Sequence, residues 1–478
     1  MARNARLWLD TPLEPPLHGS MGIMGHYVHR ALGELGYDVE CSVVPDQPPA
    51  LQMMPLPAAE SVAALRGLAR DEIRVFFDRC LPQVAPTPSP GVTNIVFLHG
   101  LRYAPGIYLA GRDISGLCAN SDYLRRVLLG LLLFPDLGAG ARRGPGPRFA
   151  FRGDAVVGAV PLVLPAIDFP AGYPSLGDDL PRWAHEELEQ DVWLGHALRP
   201  RKLIPEATAA VLLALNREPH RSRLGRPVRL FVNEGDRPRI VGAAKRLPGG
   251  DDVSPFVIPL PWIRNEHLVE LMRRTHFALM VDWFPEPFGL YPLESVFHGA
   301  PVYTTGAGNL RHLLPPGHGI RVVEPGAAGA HAGAVDAFAA CIADGLATGD
   351  GASACARGRD FIGRTYTAEA FTRGLGDFLD QVARAPDLDA LDPDALAIET
   401  SPLVRAIDRD AGVLTSDLGE QTLDAGQLAL MERAVGQRLA AFARDLGDED
   451  AAALRSLFAA GAISLGSGAP SPCRIRLP

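Results

Sequence analysis

Short apolar runs alternate along the chain with segments whose apolar residues fall at helical spacing, in two successive series. That alternation is what most constrains the fold, because repeated strand–helix units build a parallel sheet with helices on both faces. In the first series, residues 7–9, 39–44, 95–98 and 156–164 read as strands. Tyr27, Val28, Ala31, Leu32 and Leu35 mark a helix that Gly36 stops. Asn120-Ser121 caps another through Leu124, Val127, Leu128 and Leu131. A polar, Pro-containing stretch at 168–189 then interrupts the pattern. The second series predicts strands at 192–194, 228–232, 256–258, 277–281, 302–304 and 320–323. Helices are predicted at 204–215, 238–247, 265–274, 291–298 and 335–346. The expected fold class is α/β, with two Rossmann-like domains facing across a cleft, over residues 1–170 and 171–366. From residue 387 the chain turns acidic and irregular. Residues 387–478 are expected to form an extra, largely helical extension with a long amphipathic helix over 424–446.

Composition narrows the function. Hydrophobic residues make up 47% of the 478 and charged residues 21%, which excludes a mainly disordered chain. No run approaches the ~18 apolar residues of a membrane span. The longest, Val127 to Phe134, ends at Pro135, and Leu7-Trp8-Leu9 is too short for a signal-peptide core. No transmembrane segment is expected, and the expected location is cytoplasmic. A net charge of −9 repels a polyanion, so no nucleic-acid partner is expected. The six cysteines are scattered without a CxxC pair and read as buried thiols.

The most informative stretch is Phe284-Pro285-Glu286-Pro287-Phe288-Gly289-Leu290-Tyr291-Pro292-Leu293-Glu294. Glu286 lies in a Pro/Gly loop after a strand, and Glu294 about one turn into a helix. Both carboxylates are thereby aimed at one sheet-end crevice. Between them, the N–H groups around Gly289, Leu290 and Tyr291 open a helix N-terminus suited to an anion. Hydroxyl-rich groups favour carboxylate acceptors and phosphates favour N–H donors; a nucleotide sugar offers both. His298-Gly-Ala-Pro-Val302 and Thr305-Gly-Ala-Gly-Asn309 complete the pattern.

This composite resembles the donor site of the retaining nucleotide-sugar glycosyltransferases of the GT-B fold, glycosyltransferase family 4 in particular, whose Glu-x7-Glu motif is written much like Glu286-Pro-Phe-Gly-Leu-x-x-Leu-Glu294. Upstream, Gly195-His196-Ala197-Leu198-Arg199-Pro200-Arg201-Lys202 is similar to the family's segment that binds the donor diphosphate. The family has Arg directly after the Gly where this chain has His196, so Arg199 or Arg201 would supply that charge beside Lys202. A plain surface cluster is the other reading of these cations. The resemblance implies a donor of UDP or GDP type, with Glu294 on the ribose and Glu286 on the sugar. It also implies that the helix at 367–386 crosses back to the first domain. Gly22, among Gly19, Gly22 and Gly25 in the first strand-to-helix turn, matches a loop beside the donor phosphates, or is a turn glycine only. His99 matches a family His near the transferred sugar, or is merely hydrogen-bonded. Asn120-Ser121 resembles a family pair and is a cap first.

The implied catalytic residues are Glu286, His99 and Lys202. Donor binding falls to Glu294, Arg201, Arg199, Gly22, Phe288, Gly289 and Leu290. No cofactor and no metal are expected: the Asp-x-Asp pairs at Asp387, Asp392, Asp408 and Asp448 all lie in the acidic tail and read as solvated. No Gly-x-Ser-x-Gly, Walker or GxGxxG pattern supports a hydrolase, NTPase or dehydrogenase. The expected activity is retaining, metal-independent sugar transfer to a small-molecule, glycan or peptide acceptor. The alternatives are a nucleotide-sugar epimerase or hydrolase of the same fold, or a non-catalytic partner subunit.

Overall fold

The structure, a computed structural model, describes residues 3–9, 13, 19–43, 72–77, 92–99, 114–133, 154–168, 182–198, 204–248, 252–261, 265–281, 285–323, 331–384, 390–391, 396–417, 419–466 and 473–476. The chain divides into two compact units. One comprises Met1–Val163, Tyr366–Val404 and Glu420–Pro478; the other comprises Leu164–Thr365 and Arg405–Gly419.

The first unit holds β1 (Arg3–Leu9), β2 (Tyr37–Val43), β3 (Glu72–Phe77), β4 (Val92–Leu98), β5 (Gly116–Ala119) and β6 (Asp154–Ala159). They lie in the order β2-β1-β3-β4-β5-β6, every pair parallel. Sequence reading missed β3 because Glu72 and Arg74 break its apolar run, yet both are buried in the sheet. The glycines expected in the first strand-to-helix turn lie instead inside the helix Gly19–Glu34. A Cβ on Gly25 would come within 2.8 Å of Leu9 Cδ2, so this glycine lets the helix pack closely on β1. Ser121 caps the helix Asp122–Leu132 by accepting from Leu124 N at 3.1 Å. The helix Ala368–Ala383 belongs to this unit, with Phe378 and Val382 against Gly116 and Phe371 beside Phe97.

The second unit holds β7 (Trp193–Ala197), β8 (Val228–Asn233), β9 (Val257–Leu260), β10 (Phe277–Met280), β11 (Val302–Thr304) and β12 (Ile320–Val322). Their order is β12-β11-β10-β7-β8-β9, again parallel throughout. Counted from β7, this is the doubly wound order 3-2-1-4-5-6. Alternate residues of β8 feed two cores. Val228, Leu230 and Val232 join one with the helices Pro205–Leu215 and His331–Thr348, and Phe231 joins another with Leu194, Ile258 and Leu271. Strands covered on both faces read as near-continuous apolar runs, which is why this half was legible. The helix Asp350–Thr365 was not anticipated; its long run of small and charged residues carries little apolar periodicity.

The C-terminal part carries more strands than expected. They are β13 (Ala390–Leu391), β14 (Ile398–Thr400), β15 (Val404–Asp408), β16 (Val413–Ser416), β17 (Gly419–Thr422), β18 (Ile463–Leu465) and β19 (Cys473–Arg476). β19 extends the first sheet antiparallel to β6, and β14 pairs with β18. The single helix predicted over 424–446 is two, Ala425–Ala434 and Leu439–Arg444. Gly436, at φ +88°, turns the chain there. Gly436 N then donates to Ile398 O, Ile398 N to Gln437 O and Leu439 N to Leu396 O, so pairing with the start of β14 outweighs helical continuation. Asp408 accepts from Asp410 N and Ala411 N in the turn after β15, and Asp448 and Asp450 begin the helix Asp448–Ala459. Among the described residues, no helix is long and apolar enough to cross a membrane.

Candidate functional site

In a sheet of order 3-2-1-4-5-6, the connections diverge between the first and fourth strands, and a crevice opens beyond their carboxyl ends. In the second unit those strands are β7 and β10. The segments that leave them are the two from which the sequence motif is built.

After β10, residues 285–288 form a loop clamped to the turn that follows β11. Glu286 N donates to Ala307 O at 3.3 Å, and Asn309 N donates to Glu286 O at 2.7 Å. The Asn309 side chain adds a bond from Nδ2 to Phe288 O at 2.9 Å. Gly308 permits this approach: a Cβ there would lie 2.5 Å from both Glu286 N and Glu286 O. Its φ of +68° with ψ of −134° is also a conformation essentially confined to glycine. Gly289, at φ +110°, ends the loop and opens the helix Leu290–His298. Gly289 contributes no side-chain cap, and the first turn carries the positive end of the helix dipole toward the crevice. Glu294 is the fifth residue of this helix and half-buried, and burial pushes its carboxyl up to about 7. Glu286 is likewise half-buried.

The crevice's other wall starts from β7. His196, 0% exposed, places Nδ1 2.5 Å from the Tyr291 hydroxyl, and the two rings meet edge to face. The same hydroxyl accepts from Leu198 N at 3.0 Å. A phenol oxygen accepting from Leu198 can give its proton to His196 Nδ1. Burial pushes the imidazole down to about 3, so it is neutral. His196 is thus no substitute for the arginine expected after Gly195. It ties the start of the helix Leu290–His298 to the segment leaving β7. Sequence reading missed Tyr291 because an aromatic in a first turn carries no signal of what it will touch.

A third element reaches this site from the tail. Asp417 follows β16, and its side chain is 0% exposed. Oδ1 accepts from Gly308 N at 3.1 Å and from Arg405 Nε at 2.5 Å, and Oδ2 pairs with Arg311 at 3.0 Å. Nothing in the local sequence distinguishes this aspartate from its solvated neighbours.

Glu286, Phe288, Gly289, Leu290 and Glu294 therefore form one loop-and-helix segment of the second unit. Gly22 and His99 are in the first unit. Gly22 is buried near the start of the helix Gly19–Glu34. His99 follows β4, with Nδ1 2.7 Å from Met24 Sδ and its carbonyl accepting from Asn120 Nδ2 at 2.9 Å. Arg199, Arg201 and Lys202 lie outside the described residues.

No protein-family model matches the chain, and no curated protein matches it. Solved structures do. A UDP-forming α,α-trehalose-phosphate synthase from Burkholderia vietnamiensis aligns with a TM-score of 0.56 at 13% identity, over 81% of this chain and 99% of that one. An α,α-trehalose 6-phosphate synthase from Burkholderia multivorans gives 0.51 at 13%, over 81% and 98%. A sucrose-phosphate synthase from Thermosynechococcus elongatus gives 0.51 at 15%, over 80% and 100%. At such identities the likeness is one of fold, and the fold is that of the GT-B glycosyltransferases, with two Rossmann-like halves.

Proposed function

We propose that the chain is a retaining glycosyltransferase, similar to family 4, that moves a sugar from a nucleoside-diphosphate sugar to an acceptor without a metal ion. The observation that carries this reading is the placement of two half-buried carboxylates and a helix start on one segment at the switch point of a doubly wound sheet. Glu294 would accept from the ribose hydroxyls and Glu286 from the sugar. The helix start, with Lys202 and Arg201 or Arg199, would meet the charge growing on the leaving diphosphate. His196 is neutral and buried, which leaves that task to these cations and the main chain. The leaving oxygen would take the acceptor's proton, so no protein base is needed. His99 and Gly22 are assigned to the sugar and phosphate surroundings on the motif resemblance alone.

The first test is thermal stabilisation by UDP-glucose, UDP-N-acetylglucosamine and GDP-mannose. Ligand at a hundred times its Kd stabilises by about 2.7 kcal/mol, a shift of several degrees. Absence of any shift would remove the donor reading. With the donor named, Lys202→Ala should lower turnover at least a hundredfold, since one donor to developing charge is worth about 3–4 kcal/mol, and Glu286→Gln should do the same by weakening the charged acceptor that holds the sugar. Near-normal rates in both folded variants would refute the site. Donor consumed to a free or rearranged sugar without acceptor would point instead to a hydrolase or epimerase, and inversion at the anomeric carbon would overturn retention.

A further inference from the structure

We infer that the C-terminal segment 405–419 is a positioning element of the candidate site, in which Asp417 holds the 306–309 turn and, through it, the loop carrying Glu286. This rests on the donor role of Glu286 proposed above. The connection is a short chain of bonds. Asp417 Oδ1 accepts from Gly308 N, Ala307 O accepts from Glu286 N, and Glu286 O accepts from Asn309 N. The loop and the turn are two strips of main chain that approach most closely at Gly308, where no Cβ intervenes.

Glycines at 289, 306 and 308 all have positive φ, so the strips are soft without an external anchor. Asp417 supplies one. A carboxylate with no exposed surface is tolerated only while its donors stay in place. Those donors include one main-chain N–H of the turn and two guanidinium groups. Arg311 is at the end of the same turn, and Arg405 is on β15, which belongs to the same returning segment. Moving Gly308 away would cost the buried carboxylate one of these donors, so the aspartate favours the turn's position as well as its bonding. Asp417 is a positioning residue; it is assigned no contact with substrate.

The test compares nucleotide sugar with bare nucleotide in wild type and Asp417→Asn. The probe pair is UDP-glucose with UDP or GDP-mannose with GDP, whichever sugar stabilises the wild type more. Glu294 and the helix start would hold the nucleotide, and Glu286 the sugar. Asp417→Asn should therefore leave the Kd of the bare nucleotide within twofold. It should remove at least tenfold of the extra affinity that the sugar confers. Hydrogen exchange of 285–289 and 306–309 should quicken at least tenfold, with that of β7 and β8 unchanged. Equal loss for both ligands, no loss for either, or unchanged exchange at 285–289 would overturn the inference. Should the wild type bind no nucleotide sugar, the donor reading fails and the exchange measurement alone decides whether Asp417 positions the loop. If Asp417→Asn does not fold, Arg405→Lys, which keeps the charge and loses the Nε bond, is read in the same way.

Discussion

Gly308→Ala is the sharpest perturbation of the clamp between the Glu286 loop and the turn after β11. Two costs follow from the geometry. The backbone at φ +68°, ψ −134° is one that side-chain-bearing residues avoid, at about 1–3 kcal/mol. The new methyl would lie 2.5 Å from Glu286 N and O, which are main-chain atoms and cannot rotate aside. Restoring ordinary contact needs a separation of nearly an ångström, which breaks the Glu286 N and Asn309 N bonds at about 0.5–1.5 kcal/mol each. Together the loss is about 2–6 kcal/mol, or on the order of 10 °C in Tm for a unit of this size. Gly225→Ala supplies the control. Gly225 also has φ of +71°, at the end of the helix His220–Leu224, with no atom near its missing Cβ. It should cost about 1 kcal/mol. Differential scanning fluorimetry of both variants, with the Kd of the stabilising nucleotide sugar, reads the difference. Gly308→Ala should be clearly the less stable and bind donor at least tenfold more weakly. Equal Tm losses in the two variants, with donor affinity intact, would show that the clamp does not govern the site.

Other tests address single groups. Glu294 has its carboxyl raised by burial to about 7, so donor affinity that depends on the carboxylate should fall about tenfold per pH unit below 7. Isothermal titration from pH 5.5 to 8.5 should show that slope in wild type and not in Glu294→Gln; a flat wild-type profile would count against the ribose role. The same raised value means that the folded state binds more protons than the unfolded between about 4.5 and 7, so this group's contribution to stability is lost as pH rises through 7. Glu294→Gln should accordingly gain in Tm relative to wild type at pH 8 and not at pH 4.5. Tyr291→Phe leaves Leu198 N and His196 Nδ1 without their partner and should destabilise by about 1–3 kcal/mol in chemical denaturation. His196→Arg places a guanidinium where a neutral ring is fully buried. It should cost several kcal/mol in the same assay, and a stable variant would contradict the assignment of His196 as a core residue.

The two α/β series were legible because parallel strands covered on both faces must be apolar, and the helices between them must be apolar at period 3.6. Where that rule is broken the reading failed. β3 carries Glu72 and Arg74 into the sheet and escaped notice. The tail's strands are short, and the helix predicted over 424–446 kept its apolar stripe although pairing with β14 divides it in two. Local periodicity reports which face can be buried, but not which distant segment will compete for the backbone.

The same division runs through the site. Glu286, Gly289 and Glu294 could be read together because strand, loop and helix are contiguous, so their spacing fixes their geometry. His196 and Tyr291, 95 residues apart, could not. In sequence, His196 was a missing positive charge; in the fold it is a neutral ring that joins the two strand-end segments flanking the switch point. Asp417 was one acidic residue in an acidic tail, yet it is 109 residues from the Gly308 N–H it accepts from. A departure from a motif therefore does not by itself signal lost chemistry. At position 196 a buried neutral ring takes a structural part, and in the proposed reading the diphosphate charge falls to Lys202, Arg201 or Arg199 and the helix start. In this chain the Tyr291 hydroxyl bonds the helix start to the segment after β7, and the Asp417 carboxylate holds the turn after β11.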